Sequence, residues 1–207
     1  MREEGRSDRA ALHAVLRAGL VAHLGVPAGH GVMVVPTVYG FDDQTVYVHG
    51  SVASQSLAAG ADYCLTVTVV DGLVLARSVF EHSVNYRCAM IYAVPRVVTD
   101  PAEKLAGLRL VSDHLAPGQW DYARRPSRKE LAATRLLALS LAEASVKISD
   151  GGPTDGDSQD AALGLWAGQL PLNMRWLPPV PDAGIPAGLA VPAHIAGRAG
   201  QPAHPLP

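Results

Sequence analysis

The stretch from Val32 to Ser56, VMVVPTVYGFDDQTVYVHGSVASQS, contains two strand-like runs joined by an acidic turn. Both runs are rich in valine, threonine and tyrosine, which favour β-strands. The first run carries Pro36, which has no backbone N–H to donate within a sheet, so it indicates an edge strand or a bulge. The second run ends in His49-Gly50-Ser51, which concentrates a glycine and hydroxyl groups at the strand end. The stretch predicts a β-hairpin and raises the question of what its polar end is for.

Strand-like runs continue on both sides of this hairpin. They are punctuated by glycine and aspartate, as short antiparallel strands usually are. The predicted strands are Leu20–Leu24, Val32–Tyr39, Thr45–His49, Cys64–Val70, Val74–Phe80, Asn85–Val98, two alternating runs within residues 137–148, and Leu163–Leu172. This spacing favours an antiparallel barrel or sandwich over alternating βαβ units.

Three helices are predicted around the strands. The first covers Ser7–Ala18, with Ser7 or Asp8 as its cap. The second begins at Asp100-Pro101-Ala102-Glu103, where aspartate caps and proline suits the first helical position. A third, shorter helix begins at the capping box Ser127-Arg128-Lys129-Glu130. In the second helix, helical spacing predicts that four residues face the core: Leu105, Leu108, Val111 and Leu115. The fold class is therefore mostly β with peripheral helices.

The length of 207 residues suits one substantial domain, predicted to cover residues 1–177, followed by a Pro/Gly/Ala-rich extended tail at 178–207. The net charge of −2 argues against nucleic acid or an anionic membrane as a partner. The charged N-terminus lacks a secretion signal, and no apolar run reaches the length of a membrane span. A cytoplasmic location is expected, with Cys64 and Cys88 as buried thiols and no metal site.

Two features of the hairpin suggest ligand binding. A bulge or edge at Pro36 would leave backbone groups of Val34–Thr37 available to a planar ligand, although an ordinary edge strand explains the proline equally well. Gly50, Ser51 and Ser54 could form a phosphate cradle if a helix begins near Ala53, because glycine allows close approach and helix N–H groups bind anions. The simpler alternative is that Ser51 or Ser54 only caps that helix. Common nucleotide and protease motifs, including GxxxxGK[ST], GxGxxG, HExxH and GxSxG, are absent.

A third polar cluster follows the predicted strand that begins at Val74. Arg77 and Arg87 flank a turn that holds His82, Ser83 and Asn85-Tyr86. Arginine is a natural bidentate partner of phosphate, so this cluster also fits an anionic ligand.

In chain order these pieces resemble the pyridoxamine 5'-phosphate oxidase-like FMN-binding split-barrel family, in particular its flavin-nucleotide-binding and nitroimidazole-resistance-like branch. The resemblance covers about residues 8–172, and its most distinctive part is the run from Asp71 to Arg87. Other matching segments are His23-Leu24-Gly25, Val35-Pro36-Thr37, Tyr47–Ser51, Lys129–Thr134, Glu143–Lys147 and Trp166-Ala167-Gly168.

The resemblance implies an antiparallel split β-barrel that forms a homodimer with flavin sites between subunits. It also implies that the flavin ring lies against the strand containing Pro36 and that the phosphate lies at the end of the next strand. The segment Asn85–Arg87 is expected near the same site. The cofactor-binding residues predicted in this way are Val34, Pro36, Thr37, His49, Gly50, Ser51, Ser54, Arg77, Ser83, Asn85, Tyr86 and Arg87.

One position departs from the family pattern. A basic residue that would hold the FMN phosphate is often found shortly after Ser54, but this chain has Gln55. Arg77 or Arg87 could replace the missing charge, and Arg87 is the preferred candidate. If neither does, FMN binding would be weak or the pocket would hold another molecule.

The sequence predicts an FMN-binding oxidoreductase that transfers hydride or electrons between a reduced nicotinamide nucleotide and a small molecule. No catalytic residue is assigned, and His49 and His82 are the weak candidates for a proton donor. Together with His23 they could instead be structural, or serve as axial ligands if the cofactor is haem. The alternatives are a haem-binding or haem-transforming split barrel and a flavin carrier or sensor without turnover.

Overall fold

The computed structural model describes residues 8–29, 31–54, 57, 60–186 and 188–204. The described helices are α1 (Arg9–Ala18), α2 (Pro101–Leu115), α3 (Gln119–Tyr122), α4 (Arg128–Ala133) and α5 (Ala193–Ala196). The described strands are β1 (Ala22–Ala28), β2 (Gly31–Thr37), β3 (Tyr39–Phe41), β4 (Thr45–Ser51), β5 (Tyr63–Leu75), β6 (Ser83–Ala93), β7 (Arg96–Val97), β8 (Thr134–Ser140), β9 (Ala144–Ser149) and β10 (Gly168–Pro171). The fold is therefore mostly β with peripheral helices, as predicted.

The strands form two antiparallel sheets. The first has the order β2-β1-β5-β6-β9, with β10 paired to the end of β5. The second has the order β3-β4-β8-β7. Strand β2 is at the edge of its sheet, where Pro36 pairs with His23 of β1. An edge strand needs backbone donors on one side only, and this explains why the strand tolerates a proline.

The longest element is the hairpin of β5 and β6. The sequence predicted two strands, Cys64–Val70 and Val74–Phe80, but the structure has one continuous strand. The Asp71-Gly72 pair that suggested a turn instead forms a register shift in the ladder between Val70 and Gly72. Residues Val79–Glu81 form a 3-10 turn that Ser78 caps. The predicted strand at Leu163–Leu172 is also shorter, because only Gly168–Pro171 pairs with β5.

The main core lies between the two sheets and α1. Its fully buried side chains include Leu16, Leu24, Leu65, Ile91 and Leu139. Helix α1 begins at the predicted cap: the Asp8 side chain accepts a hydrogen bond from Ala10 N–H.

Helix α2 packs on the other face of the second sheet, in a smaller cluster that contains Tyr47 and Val111. A Cβ on Gly40 would lie 2.3 Å from the backbone of Leu110 and Val111, so only glycine allows this helix to pack so closely. The prediction that Leu105 faces the core is wrong, because its side chain is exposed.

The chain after Trp176 is largely exposed but is not simply extended. It contains α5, and the backbone N–H groups of Trp176 and Ala203 donate to Gln201 and Met174 respectively. These bonds pair the end of the chain with residues 174–176, and His204, which follows directly, is buried. The division into a domain at 1–177 and a tail at 178–207 stays a prediction. In the part of the chain that is described, no helix is long and apolar enough to cross a membrane.

Candidate ligand-binding site

Two cavities lie at the end of the β5–β6 hairpin and share a wall made by Asn85 and Ser149. The first has a volume of about 460 Å³, and its lining includes Asp71, Gly72, Ile148, Gln169 and Leu172. The second has a volume of about 380 Å³, and its lining includes Val74, Phe80, His82, Ser83 and Gly151. Three of the predicted site residues, His82, Ser83 and Asn85, therefore surround real cavities.

Asn85 is buried, and its side-chain amide fixes the wall between the two cavities. Its Nδ2 donates to the carbonyl of Gly151 and to Oε1 of Gln169, at 3.1 Å each. Its Oδ1 accepts from the hydroxyl of Ser149 at 3.5 Å. The amide thus ties β6 to three other segments, and it determines the shape of both cavities.

Arg87 is buried, and it is bonded to the carboxylate of Asp71, which lines the first cavity. Its Nε donates to Oδ2 of Asp71 at 2.8 Å and its Nη2 donates to Oδ1 at 2.7 Å. A phosphate would have to compete with this carboxylate for the guanidinium. The geometry therefore gives Arg87 a structural partner, and its predicted role toward a phosphate stays a hypothesis.

Arg77 is held in a similar way by Asp155, whose side chain is almost fully buried. The guanidinium Nη1 donates to Oδ1 at 2.9 Å, and the backbone N–H groups of Arg77 and Ser78 donate to Oδ2. Burial opposes ionisation of this carboxyl, but these donors outweigh it and hold the pKa of Asp155 below its ordinary value. Asp155 therefore fastens the segment after β9 to the hairpin end.

The remaining predicted residues of the hairpin are more exposed. His82 Nε2 lies 3.2 Å from the carbonyl of Ala76, so one ring nitrogen is held by the backbone. Tyr86 is half-buried, with Nζ of Lys147 5.9 Å from its ring centre. Phe80 is 89% exposed at the mouth of the second cavity. An apolar side chain this exposed at a cavity mouth is typical of a surface that contacts a ligand or another protein.

The end of β4 forms the second predicted cluster. A Cβ on Gly50 would lie 2.7 Å from Cδ1 of Leu57, so the glycine lets the following segment pack closely. The Ser51 hydroxyl accepts a hydrogen bond from Ala53 N–H at 3.2 Å. This bond closes a turn at the position where Ser51 was predicted to cap a helix. Burial lowers the pKa of His49, whose Nδ1 is buried without a hydrogen-bond partner among the described residues. Gln55, the predicted departure from the family pattern, lies outside the described residues.

Strand β2 carries the third predicted group, and it is open to solvent. Val34 is 60% exposed and Pro36 is exposed. The Thr37 hydroxyl donates to the carbonyl of Val38.

The structure does not bring all predicted site residues together within one chain. Pro36 of β2 pairs with His23 of β1, and His23 pairs in turn with Thr66 of β5. Thr66 pairs with Met90 of β6, so these four residues form one row across the sheet. Asn85 lies five residues further along β6, about 17 Å at ~3.4 Å per residue. The β2 group and the hairpin-end group therefore lie at separate places along the sheet.

Several residues that shape the site were not predicted. Asp71, Gln169 and Asp155 hold the arginines and the asparagine of the hairpin end. Asp71 belongs to the distinctive run from Asp71 to Arg87, so a signal for it existed. Asp155 lies in a Gly/Asp/Ser-rich stretch that resembles any exposed loop, and nothing local in the sequence marks it as buried.

Comparison with known proteins gives consistent results. A family model described as "Pyridoxamine 5'-phosphate oxidase" matches residues 8–148. The structure of the flavocytochrome Anf3 from Azotobacter vinelandii is 37% identical, with a TM-score of 0.87, and the match covers 95% of this chain and 92% of that one. The structure of the FAD and heme binding protein from Mycobacterium smegmatis is 33% identical, with a TM-score of 0.91, covering 98% and 100%.

A structure from Bacteroides thetaiotaomicron, named for 5-nitroimidazole antibiotic resistance, is 16% identical with a TM-score of 0.55. The match covers 69% of this chain and 84% of that one, and it shows the shared fold alone. A search of curated proteins found no match.

Proposed function

The chain belongs to the pyridoxamine 5'-phosphate oxidase family, and from this premise we propose that it is a flavin-dependent oxidoreductase acting on a small molecule. The resemblance drawn from the sequence and the split-barrel fold type are confirmed by the same comparisons. One observation carries the proposal: two proteins that are 37% and 33% identical over nearly their whole lengths are named as a flavocytochrome and as an FAD and heme binding protein.

The end of β4 and the exposed edge β2 fit a flavin nucleotide. Gly50 leaves room for the Leu57 side chain to pack against the strand end, and the hydroxyls of Ser51 and Ser54 are of the kind that donates to phosphate oxygens. On β2, the exposed Val34 and Pro36 offer a flat apolar edge to a planar ring. FMN and FAD share the ring and the first phosphate, so either could use these groups.

Haem is the second cofactor that we propose, because both of these relatives are named for it and the hairpin end fits it. The second cavity combines Val74 and Phe80 with the imidazole of His82. A histidine nitrogen is a common haem ligand. The rest of the second cavity is mostly polar, with Glu81, Ser83 and Thr154 in its lining, so the apolar surface for a haem would come from the first cavity beside it. One nitrogen of His82 is held by the Ala76 carbonyl, and this fixes the ring and leaves the other nitrogen for a ligand. The first cavity adjoins this one through Asn85.

The chemistry of transfer belongs to the cofactors: a bound flavin accepts and gives hydride or single electrons. The residues of the chain bind and orient. The amide of Asn85 keeps the cavity wall in place through Gly151 and Gln169. Burial lowers the pKa of His49, which favours its neutral imidazole form. A reduced nicotinamide nucleotide is the proposed electron donor.

We also propose that the protein works as a homodimer. The resemblance drawn from the sequence implies flavin sites between two subunits, and the exposed edge strand β2 is a surface that suits such a contact. The apolar side chains of Val32 and Val34 on the edge strand are 76% and 60% exposed, which favours burial against a partner.

Absorption spectroscopy tests the proposal directly. The purified protein, after incubation with a flavin and haemin and removal of excess by gel filtration, should retain both a flavin band and a Soret band. Parallel titrations with FMN and FAD, followed by flavin fluorescence, decide which flavin binds more tightly. Bleaching of the flavin band by a reduced nicotinamide nucleotide would support an oxidoreductase. A retained flavin that no reductant bleaches would indicate a carrier, and no retained chromophore would overturn the proposal.

A further inference from the structure

The last part of the described chain folds back as a short strap, residues 198–204. The backbone N–H of Trp176 donates to the Gln201 carbonyl at 3.0 Å, and the N–H of Ala203 donates to the Met174 carbonyl at 2.8 Å. The strap is therefore paired with the segment that follows β10.

The strap brings His204 to the ion pair between β5 and β6. The segment that pairs with it begins at Leu172, whose N–H donates to the Asp71 carbonyl at 2.9 Å. Asp71 and Arg87 form the buried pair, and both act electrostatically on His204. The His204 side chain is itself buried, with 3% exposure. The closed strap therefore completes a buried cluster of three polar side chains.

The surroundings of His204 favour its neutral form. Its Nε2 is buried and has no hydrogen-bond partner in the described part of the chain. A neutral imidazole can leave one nitrogen without a proton, but an imidazolium has two N–H groups, and each needs an acceptor. A buried cation without an acceptor is strongly unfavourable, and a neighbouring guanidinium adds repulsion. Burial and Arg87 accordingly lower the pKa of His204, while Asp71 acts in the opposite direction.

The other charged groups of the strap contact are arginines. Nη1 of Arg175 donates to the Gly200 carbonyl at 3.3 Å. Nη1 of Arg198 donates to the Leu115 carbonyl at 2.7 Å, and its guanidinium lies 4.1 Å from the ring centre of Trp176. Arginine keeps its charge throughout the range in which histidine titrates, and a carboxyl ordinarily titrates near pH ~4. His204 is therefore the group of this contact whose charge is expected to change in mild acid.

We propose that His204 is a proton-sensitive latch: its protonation detaches the strap from residues 174–176 and opens the first cavity at the wall formed by Leu172 and Asn173. These two residues belong to the same stretch of chain that the strap covers, so release of the strap removes a support of that wall. In the open strap, His204 is in water and binds a proton with the ordinary pKa of 6.5. The strap is therefore closed above pH 6.5 and opens increasingly as the pH falls below it. The latch does not depend on the proposed cofactors.

Hydrogen exchange of the full chain, followed by mass spectrometry at pH 7.5 and pH 5.5, tests the latch. Protection factors, corrected for the intrinsic effect of pH on exchange, are compared for residues 198–204 and 172–175. In the wild type both should fall by up to about tenfold at pH 5.5, because one group changes an equilibrium by at most about tenfold per pH unit below its pKa. His204→Phe and His204→Gln cannot take up this proton and should show no such fall. The control His23→Gln removes an exposed histidine of β1 and should behave like the wild type.

Constant protection of the wild-type strap would overturn the inference, and so would a fall that persists in both His204 variants. A strap that opens while residues 172–175 stay protected would overturn the opening of the cavity. If neither variant keeps the strap protected at pH 7.5, NMR of the wild type decides. The His204 ring and the strap amides should then titrate together, and a strap that opens at a different pH from the ring overturns the latch.

Discussion

Arg87 and Asp71 are joined by two hydrogen bonds, of 2.8 and 2.7 Å, across the β5–β6 hairpin, and both side chains are less than one-tenth exposed. Asp71 is positioned by the register shift between Val70 and Gly72, which turns its carboxylate toward the arginine on the neighbouring strand. Removing either member of a buried ion pair is strongly destabilising, because the remaining charge is then unbalanced in the protein interior.

We therefore expect Asp71→Ala to destabilise the protein by about 3–5 kcal/mol, since it removes the carboxylate that balances the buried guanidinium of Arg87. The double variant Asp71→Leu with Arg87→Met should recover most of this loss, because no charge remains buried. The free energies of unfolding are measured by urea titration. Breaking the exposed pair between Arg96 and Glu103 by Arg96→Ala is the control, and it should cost at most about 1 kcal/mol.

The single variant Arg87→Ala decides whether Arg87 also contacts phosphate. If Arg87→Ala kept normal stability but bound FMN far more weakly than riboflavin, the arginine would be a phosphate ligand after all. If it lost stability and bound both flavins equally weakly, its role would be to support the hairpin.

A second prediction concerns the anchor between Asp155 and the Arg77-Ser78 backbone. Because the pKa of Asp155 is lowered in the folded protein, its contribution is fully present above the ordinary carboxyl pKa of 3.8. It is lost as the pH falls through the lowered folded value. Asp155→Asn removes the carboxylate charge at neutral pH, as protonation does at low pH. It should therefore release residues 150–163 from the hairpin. Faster hydrogen exchange in this segment than in β8 would support the anchor, and unchanged exchange would contradict it.

A third prediction concerns His114, which lies half-buried on α2 with its Nε2 bonded to the Gly19 carbonyl at the end of α1. Burial lowers the pKa of His114, while the hydrogen bond from its Nε2 to the Gly19 carbonyl acts in the opposite direction. The pKa of His114 in the folded protein is below the ordinary 6.5, so the unfolded chain binds the proton more readily than the folded one. The contribution of His114 to the free energy of unfolding is therefore full above pH 6.5 and decreases as the pH drops below it. The slope for one such group is at most about 1.4 kcal/mol per pH unit.

The variant His114→Phe should flatten this dependence. Phenylalanine retains a ring beside Tyr39, whose centre lies 4.6 Å from that of His114. The Gly19 carbonyl keeps its hydrogen bond from the Tyr39 hydroxyl at 2.9 Å. Urea midpoints of wild type and variant, compared at pH 8 and pH 5, measure the difference. If the urea midpoint of the wild type is the same at pH 8 and at pH 5, protonation of His114 does not destabilise the folded protein.

The sequence predicted the elements that local chemistry determines. Capping residues located α1, α2 and α4, and alternation located β4, β8 and β9. It failed where the outcome depends on distant partners. Asp71-Gly72 has the composition of a turn, but pairing with β6 and β10 keeps the strand continuous. Arg77 and Arg87 were chosen for phosphate because they are basic, and their carboxylate partners are visible only in three dimensions.

The site shows the same limit. His204 was assigned to an extended tail, but it is buried because Met174 and Trp176 pair with the chain just before it. Long-range pairing of this kind leaves no periodic signal in a single sequence.

The last prediction concerns assembly through the β2 edge. Light scattering at micromolar concentration should give a homodimer, with an interface above ~2,000 Å² if the pair is obligate. Val32→Lys, at a side chain that is 76% exposed in one chain, should shift the protein toward the monomer. Burying a valine contributes about 1.5–3 kcal/mol, a buried lysine charge is costly, and a two-fold axis applies the change to both copies.

Val180→Lys makes the same substitution at a tail residue that is 91% exposed, and it should leave the dimer intact. A monomeric wild type would refute the dimer. A dimer that tolerates Val32→Lys but not Val180→Lys would move the interface from the β2 edge to the tail.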